Sequence, residues 1–244
     1  MLVAAAVCPC PPLLVPAVAA GAAPELDAAR EACADALGVL AASRPDRLIV
    51  VGPAPGPEEL VPYPQGAYGT FRGYGVALDV TLDGAAAGPG VRDGLAGGEL
   101  PASLAVAAWL LTEAAWTAAP VEGFGVRESL GAERCAARGG ELAASHERVA
   151  LLVMGDASAC RSLKAPGSLD RRAAPFDAGV ARALAEVDLA ALRGLDETLA
   201  TELKAAGRPC WQVLAGAAEG AVLSGTLLHD DAPYGVGYPV AVWS

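Results

Sequence analysis

The stretch that most constrains this chain is Val149–Met154, an unbroken apolar run, VALLVM, that stops at Gly155-Asp156. A run of that length and composition predicts a strand buried on both faces, and such strands belong to parallel sheets covered by helices on either side. Leu2–Val7 and Leu48–Val51 read the same way. Between the runs lie stripes of helical period, first Leu26, Ala29, Cys33, Leu37 and Leu40, later Leu104, Ala108, Leu111 and Ala115. Strands alternating with helices, without an internal repeat or a linker, predict one α/β domain over residues 1–244. It should have a mixed central sheet with helices on both faces.

The remaining segments follow from local chemistry. Gly52-Pro53-Ala54-Pro55-Gly56-Pro57 reads as a rigid loop closing the second strand. Residues 58–75 read as a long surface loop carrying Tyr63, Tyr68, Phe71 and Tyr74, aromatics that offer an oligomer contact. Val76–Leu82 alternates as a half-exposed strand. Gly84–Gly98 reads as a flexible turn region, followed by helices over Pro101–Trp116 and Glu128–Ser145. Beyond Phe176 the period predicts two helices divided at Gly194, with Gly207-Arg208-Pro209 stopping the second. Cys210–Ala218 is then a short buried helix. Leu223–His229 and Tyr238–Val242 are strands joined through Asp230–Gly237.

Composition excludes several classes. The 244 residues carry a formal net charge of −11 and no basic run, which argues against nucleic-acid binding. No apolar run approaches the roughly 20 residues of a membrane span. The N-terminus is uncharged as far as Glu25, but it lacks a basic segment and is interrupted by Pro9, Pro11, Pro12 and Pro16, so it predicts a first core strand of a cytoplasmic protein and not an export signal. The six cysteines are scattered, unlike a disulfide framework, and most of them read as reduced, buried small apolar residues. Phosphate-loop, dinucleotide-fingerprint and nucleophile-elbow motifs are absent.

Ligand crevices of open α/β sheets lie beyond the carboxyl ends of the parallel strands. That rule singles out the loop after Met154, with Asp156, Ser158, Cys160, Arg161 and Lys164, and the Cys8-Pro9-Cys10-Pro11-Pro12 loop after the first strand. Cys10, Ser158 and Asp156 are the candidate catalytic residues. Arg161, Lys164, Asp231 and Tyr234 are the candidate contacts for a small polar or anionic ligand. Each has a plainer alternative: Asp156 capping a turn, Cys160 a half-buried thiol, His229 a satisfied strand-end histidine. His146 and His229 are the two histidines of the chain, and His146 reads as exposed at a helix end. A metal site would have to combine Cys8 or Cys10 with His229 and an acid.

Four motifs in sequence resemble a known family: Cys8-Pro-Cys-Pro-Pro-Leu-Leu-Val-Pro, Leu151-Leu-Val-Met-Gly-Asp-Ala-Ser, Pro175-Phe-Asp and Trp211-Gln-Val-Leu-Ala-Gly-Ala-Ala. The chain looks like an actinobacterial branch of the LigB-like superfamily, the class III extradiol ring-cleavage dioxygenases. The resemblance implies an α/β domain. It also implies Fe(II) held by two histidines and a glutamate, dioxygen as oxidant, and a further histidine for acid–base work. Its residues do not carry over. Cys10 stands where the first iron histidine belongs, Pro53-Ala54-Pro55 where the second belongs, and Ala159 at the acid–base position. The third ligand would fall near Ala206–Arg208, with Glu202 the nearest carboxylate upstream. Three readings remain open: a protein binding a small molecule or a protein partner, an enzyme with changed chemistry using Cys10, or a dioxygenase with substituted ligands.

Overall fold

A computed structural model describes residues 1–84, 98–144 and 147–244. His146 and nearly all of the Gly84–Gly98 segment lie outside the described residues. In chain order the elements are β1 (Leu2–Cys8), α1 (Pro16–Ala19), α2 (Asp27–Ala42), β2 (Arg47–Ala54), β3 (Leu60–Tyr63), β4 (Tyr68–Thr70), β5 (Asp79–Thr81), α3 (Ala102–Glu113), β6 (Val121–Arg127), α4 (Ala132–Ala143), β7 (Val149–Met154), α5 (Ala173–Glu186), α6 (Leu189–Arg193), α7 (Glu197–Glu202), α8 (Arg208–Ala217), β8 (Gly225–Asp231) and β9 (Tyr238–Trp243).

The main sheet has seven strands in the order β3-β6-β2-β7-β1-β9-β8. Its centre, β6-β2-β7-β1, is parallel; β3 pairs antiparallel to β6 on one side, and on the other β9 runs antiparallel to β1 and β8 antiparallel to β9, back in the direction of the centre. Side chains of a strand alternate between faces, and the core divides accordingly. Ala4, Ala6, Cys8, Leu48, Val50, Ala150, Leu152 and Met154 pack with α2 and α3. Leu2, Ala5, Val7, Ile49, Val51, Val149, Leu151 and Val153 pack with α4, α5 and α8. Both faces are covered, so the central strands have no polar side to show, which is why they are uninterrupted apolar runs.

Several local expectations are corrected. Gly52-Pro53-Ala54 continues β2 instead of forming a loop. Pairing with β7 ends at Val51 while pairing with β6 runs on to Ala54. Pro53 therefore sits where one side of the strand has no ladder to interrupt. Residues 58–75 contain β3 and β4, and Tyr63, Tyr68 and Phe71 are buried there, leaving only Tyr74 of the four aromatics exposed. The strand expected over Val76–Leu82 shrinks to β5, paired with β4 in a separate two-stranded sheet. Val187 adopts φ +55° and closes α5, so three helices replace the two expected. Gly207-Arg208-Pro209 opens α8 rather than ending a helix, with the proline in the first turn where its missing N–H has no partner to lose.

The layer beneath the site depends on close helix contact. A methyl group on Gly216 of α8 would overlap the Ala136 carbonyl oxygen of α4, and one on Gly139 would overlap the Val213 carbonyl oxygen. The two backbones meet at these glycines, which explains how a helix as poor in large apolar residues as α4 is fixed.

Candidate functional site

The carboxyl ends of β1 and β7 are tied together by their loops. Gly155 donates its N–H to the Cys8 carbonyl at 2.9 Å, and the Cys10 N–H donates to Asp156 Oδ1 at 2.7 Å. The stiff, proline-rich turn after β1 thus presents a backbone donor to the one carboxylate that follows β7. Asp156 is half-buried. Burial pushes its carboxyl up from 3.8 to about 7, partly offset by the Cys10 N–H. Burial and then the charge of Asp156 also push up the phenol of Tyr238 at the start of β9. The Asp156 carbonyl accepts the Gly207 N–H at 2.9 Å, linking this loop to the start of α8. Gly207 cannot carry a side chain, because a methyl group there would overlap the Trp211 ring.

The loop after Asp156 is held by a residue that the sequence alone does not single out. Asp177 of α5, 3% exposed, accepts the Ser158 N–H at 2.9 Å, the Ser158 hydroxyl at 2.8 Å and an Arg161 guanidinium N–H at 3.0 Å. Burial raises its carboxyl pKa, while Ser158 and Arg161 pull it down. Backbone bonds from Ala157 to Gly237, Gly237 to Ser158 and Arg161 to Gly235 run the loop alongside the turn before β9. Asp177 was legible only as the last residue of Pro175-Phe-Asp. Nothing in its neighbours along the chain shows that it lies beneath Ser158.

A pocket of about 470 Å³ opens beside this loop, at the carboxyl end of β6 and between α7 and α8. Glu128, Ser129, Thr201, Lys204, Ala206 and Arg208 line it. Arg208 is 2% exposed, and its guanidinium donates to the carbonyls of Leu130 at 2.5 Å and Glu128 at 2.6 Å and to Gln212 Oε1 at 2.9 Å. Lys204 is exposed, with its Nζ 3.4 Å from the Pro166 carbonyl.

Among solved structures similar to this chain is one that matches along its whole length. It is the crystal structure of an uncharacterised protein, JW3007, from Escherichia coli K12, with 14% sequence identity and a TM-score of 0.58 over 99% of both chains. No family model and no curated protein matches the chain. At that identity the likeness is one of fold.

Of the candidate residues, Cys10 and Asp156 are brought together, while Ser158 and Arg161 turn to Asp177. Cys10 is buried, and burial, Asp156 and Cys210 hold its thiol well above the usual range, so it lacks the thiolate a nucleophile needs. Ser158 is fully buried with its hydroxyl committed to Asp177. Arg161 bonds the same carboxylate, Lys164 is exposed, and Asp231 is exposed and accepts the Ala232 N–H at 2.7 Å. Tyr234 reaches across to the Ala22 carbonyl at 3.4 Å. None of Arg161, Lys164, Asp231 and Tyr234 lines the pocket beside Arg208. Cys160, buried against the Leu203 carbonyl at 3.5 Å, is also pushed up by burial. Of the candidate catalytic residues, Asp156 alone keeps a proton that moves near neutral pH.

The donor set does not fit Fe(II). Cys10 follows β1, whereas His229 lies on β8, with β9 between the two strands. Ala54 and Ala159 occupy the other expected ligand and acid–base positions, and both are buried. Glu202 faces away, paired with Arg172 at 2.7 Å. Among the described residues no three His, Cys, Asp or Glu side chains are grouped to hold a metal ion. Also among the described residues, no helix is long and apolar enough to cross a membrane.

Proposed function

We propose that this chain is a LigB-like protein, related in fold to the extradiol dioxygenases, that binds a small polar or anionic molecule at the carboxyl edge of its sheet and has no iron-dependent ring cleavage. The observation that carries the reading is the pocket beside Arg208. It lies where open α/β sheets hold their ligands, and its lining supplies two cations and two hydroxyls. Titration of the 15N-labelled protein with small neutral, cationic and anionic fragments tests it. Shifts should gather at Ser129, Thr201, Lys204 and Ala206. Anaerobic incubation with Fe(II) should leave less than about a tenth of an equivalent bound after desalting, because a protonated buried thiol is a poor ligand. Stoichiometric iron, or fragments that leave those residues unmoved, would refute the proposal.

A second reading has one observation in its favour. A carboxyl group that titrates near neutral pH suits acid–base catalysis. In that reading Asp156 exchanges a proton with substrate beside Tyr238, and Cys10 contributes its backbone N–H instead of its sulfur. Turnover of any substrate should then be lost in Asp156→Asn.

A further inference from the structure

We propose that the pocket between α7 and α8 is an oxyanion site, built on the guanidinium of Arg208 and completed by the ammonium of Lys204. The proposal rests on the reading of this pocket as a ligand site and names the chemistry of the ligand: a phosphate or carboxylate group.

One buried charge in this pocket lacks a counterion. Arg208 is 2% exposed, yet its three hydrogen bonds go to two backbone carbonyls and one side-chain amide, all neutral. No carboxylate pairs with it among the described residues. Arg161, on the other wall of the loop, shows the usual arrangement, with Asp177 at 3.0 Å. Taking a guanidinium out of water without an opposite charge is unfavourable, and an anion held against it removes that penalty.

The geometry leaves room for the anion. A guanidinium has five N–H groups, and the two that remain on Arg208, Nε–H included, have no partner among the described residues. The group is also fixed in place. Gln212 donates its amide to the carbonyls of Arg193 at 3.1 Å and Leu195 at 3.2 Å, which leaves its oxygen facing Arg208. A guanidinium held in place with N–H groups to spare suits the oxygens of a carboxylate or phosphate.

The surroundings agree in sign. Arg208 and Lys204 stand against a single carboxylate in the lining, Glu128, which is exposed. The pocket is thus locally cationic on a chain whose formal net charge is −11. The Ser129 hydroxyl adds a donor at the rim. The start of α8 contributes little: the Gly207 N–H goes to Asp156, the Arg208 N–H goes to Ala205 at 3.3 Å, and Pro209 has none. Recognition therefore falls to the side chains.

The test follows the Arg208 Nε–H and the amides of Ser129, Lys204 and Ala206 by NMR. Inorganic phosphate and, separately, acetate are titrated at ionic strength held constant with sodium chloride. Saturable shifts with either anion are expected, and the stronger of the two identifies the ligand group. Arg208 holds the Glu128–Leu130 segment and the Gln212 amide, and its replacement risks the fold, so the variant is Lys204→Gln, at an exposed position. It should weaken the binding about tenfold, the effect of losing one charge-assisted hydrogen bond. Unmoved resonances with both anions, or unchanged affinity in Lys204→Gln, would overturn the proposal. If neutral fragments still occupy the pocket, the ligand-site reading survives without the oxyanion. If nothing occupies it, both fall.

Discussion

Replacing Asp156 with asparagine isolates one proton. The wild-type carboxyl titrates at about 7 in the folded protein against 3.8 ordinarily, because burial disfavours the charged form more than the Cys10 N–H favours it. The folded chain therefore binds this proton more tightly than the unfolded chain. The associated stability is fully present below pH 3.8, declines as pH rises toward 7, and is gone above it. At about 1.4 kcal/mol per pH unit the interval is worth at most about 4 kcal/mol. The half-buried side chain keeps some contact with water, so about 1–3 kcal/mol is the realistic range. Asparagine keeps an oxygen to accept from Cys10 and cannot ionise. Urea unfolding of both proteins between about pH 4 and 8 should show Asp156→Asn gaining about 1–3 kcal/mol on wild type up to about pH 7, with a constant difference beyond. Acid-sensitive groups that both proteins share, such as Asp170 and Glu59, each held near 2 by arginine partners, cancel in the comparison. Parallel stability curves across this range, or a wild type that gains on the variant as pH rises, would refute the assignment.

Other consequences follow from the same geometry. Native protein should leave Cys10 unmodified by iodoacetamide at about pH 7.5 on a timescale that labels all six cysteines in urea, as mass spectrometry of peptides will show; rapid labelling would restore the nucleophile. Asp177→Ala should lower unfolding stability by about 2–4 kcal/mol, because it strands the Ser158 N–H and hydroxyl and the Arg161 guanidinium together. Ser158→Ala, which removes one of those bonds, should lower it by about 1–2 kcal/mol, and equal effects would contradict the clamp. Gly216→Ala should destabilise by about 1–3 kcal/mol in thermal or urea unfolding despite alanine's better helix propensity, since its methyl group would strike the Ala136 carbonyl of α4.

Much of the architecture was legible because burial on both faces leaves a strong mark on a strand. Val149–Met154, Leu48–Val51 and Leu2–Val7 are apolar without a break, and the stripe from Leu26 to Leu40 repeats every three or four residues as one helix face does. Elements held by contacts rather than composition were missed. β3 and β4 are only four and three residues long, too short for periodicity, and exist because β6 and β5 lie beside them. The break in α5 falls at Val187, in a left-handed conformation that no glycine announces.

The site divides in the same way. The rule placing ligand crevices at strand ends found Asp156 and the Cys10 loop, but it could not say which atoms face one another. Cys10 contributes an N–H and not a thiolate, and Ser158 and Arg161 turn inward to Asp177 from 19 and 16 residues away. Arg208 read as part of a helix stop, and only the fold shows it buried beside a pocket with neutral partners alone among the described residues.

The sequence by itself determined the class of fold, the covered parallel centre of the sheet and the edge where a site would lie, since these depend on hydrophobic period and chain order. Only the tertiary structure decided which polar groups are charged, paired or free. Those properties depend on burial and on neighbours brought together across the chain, and Asp156, Asp177 and Arg208 meet partners that no local pattern encodes.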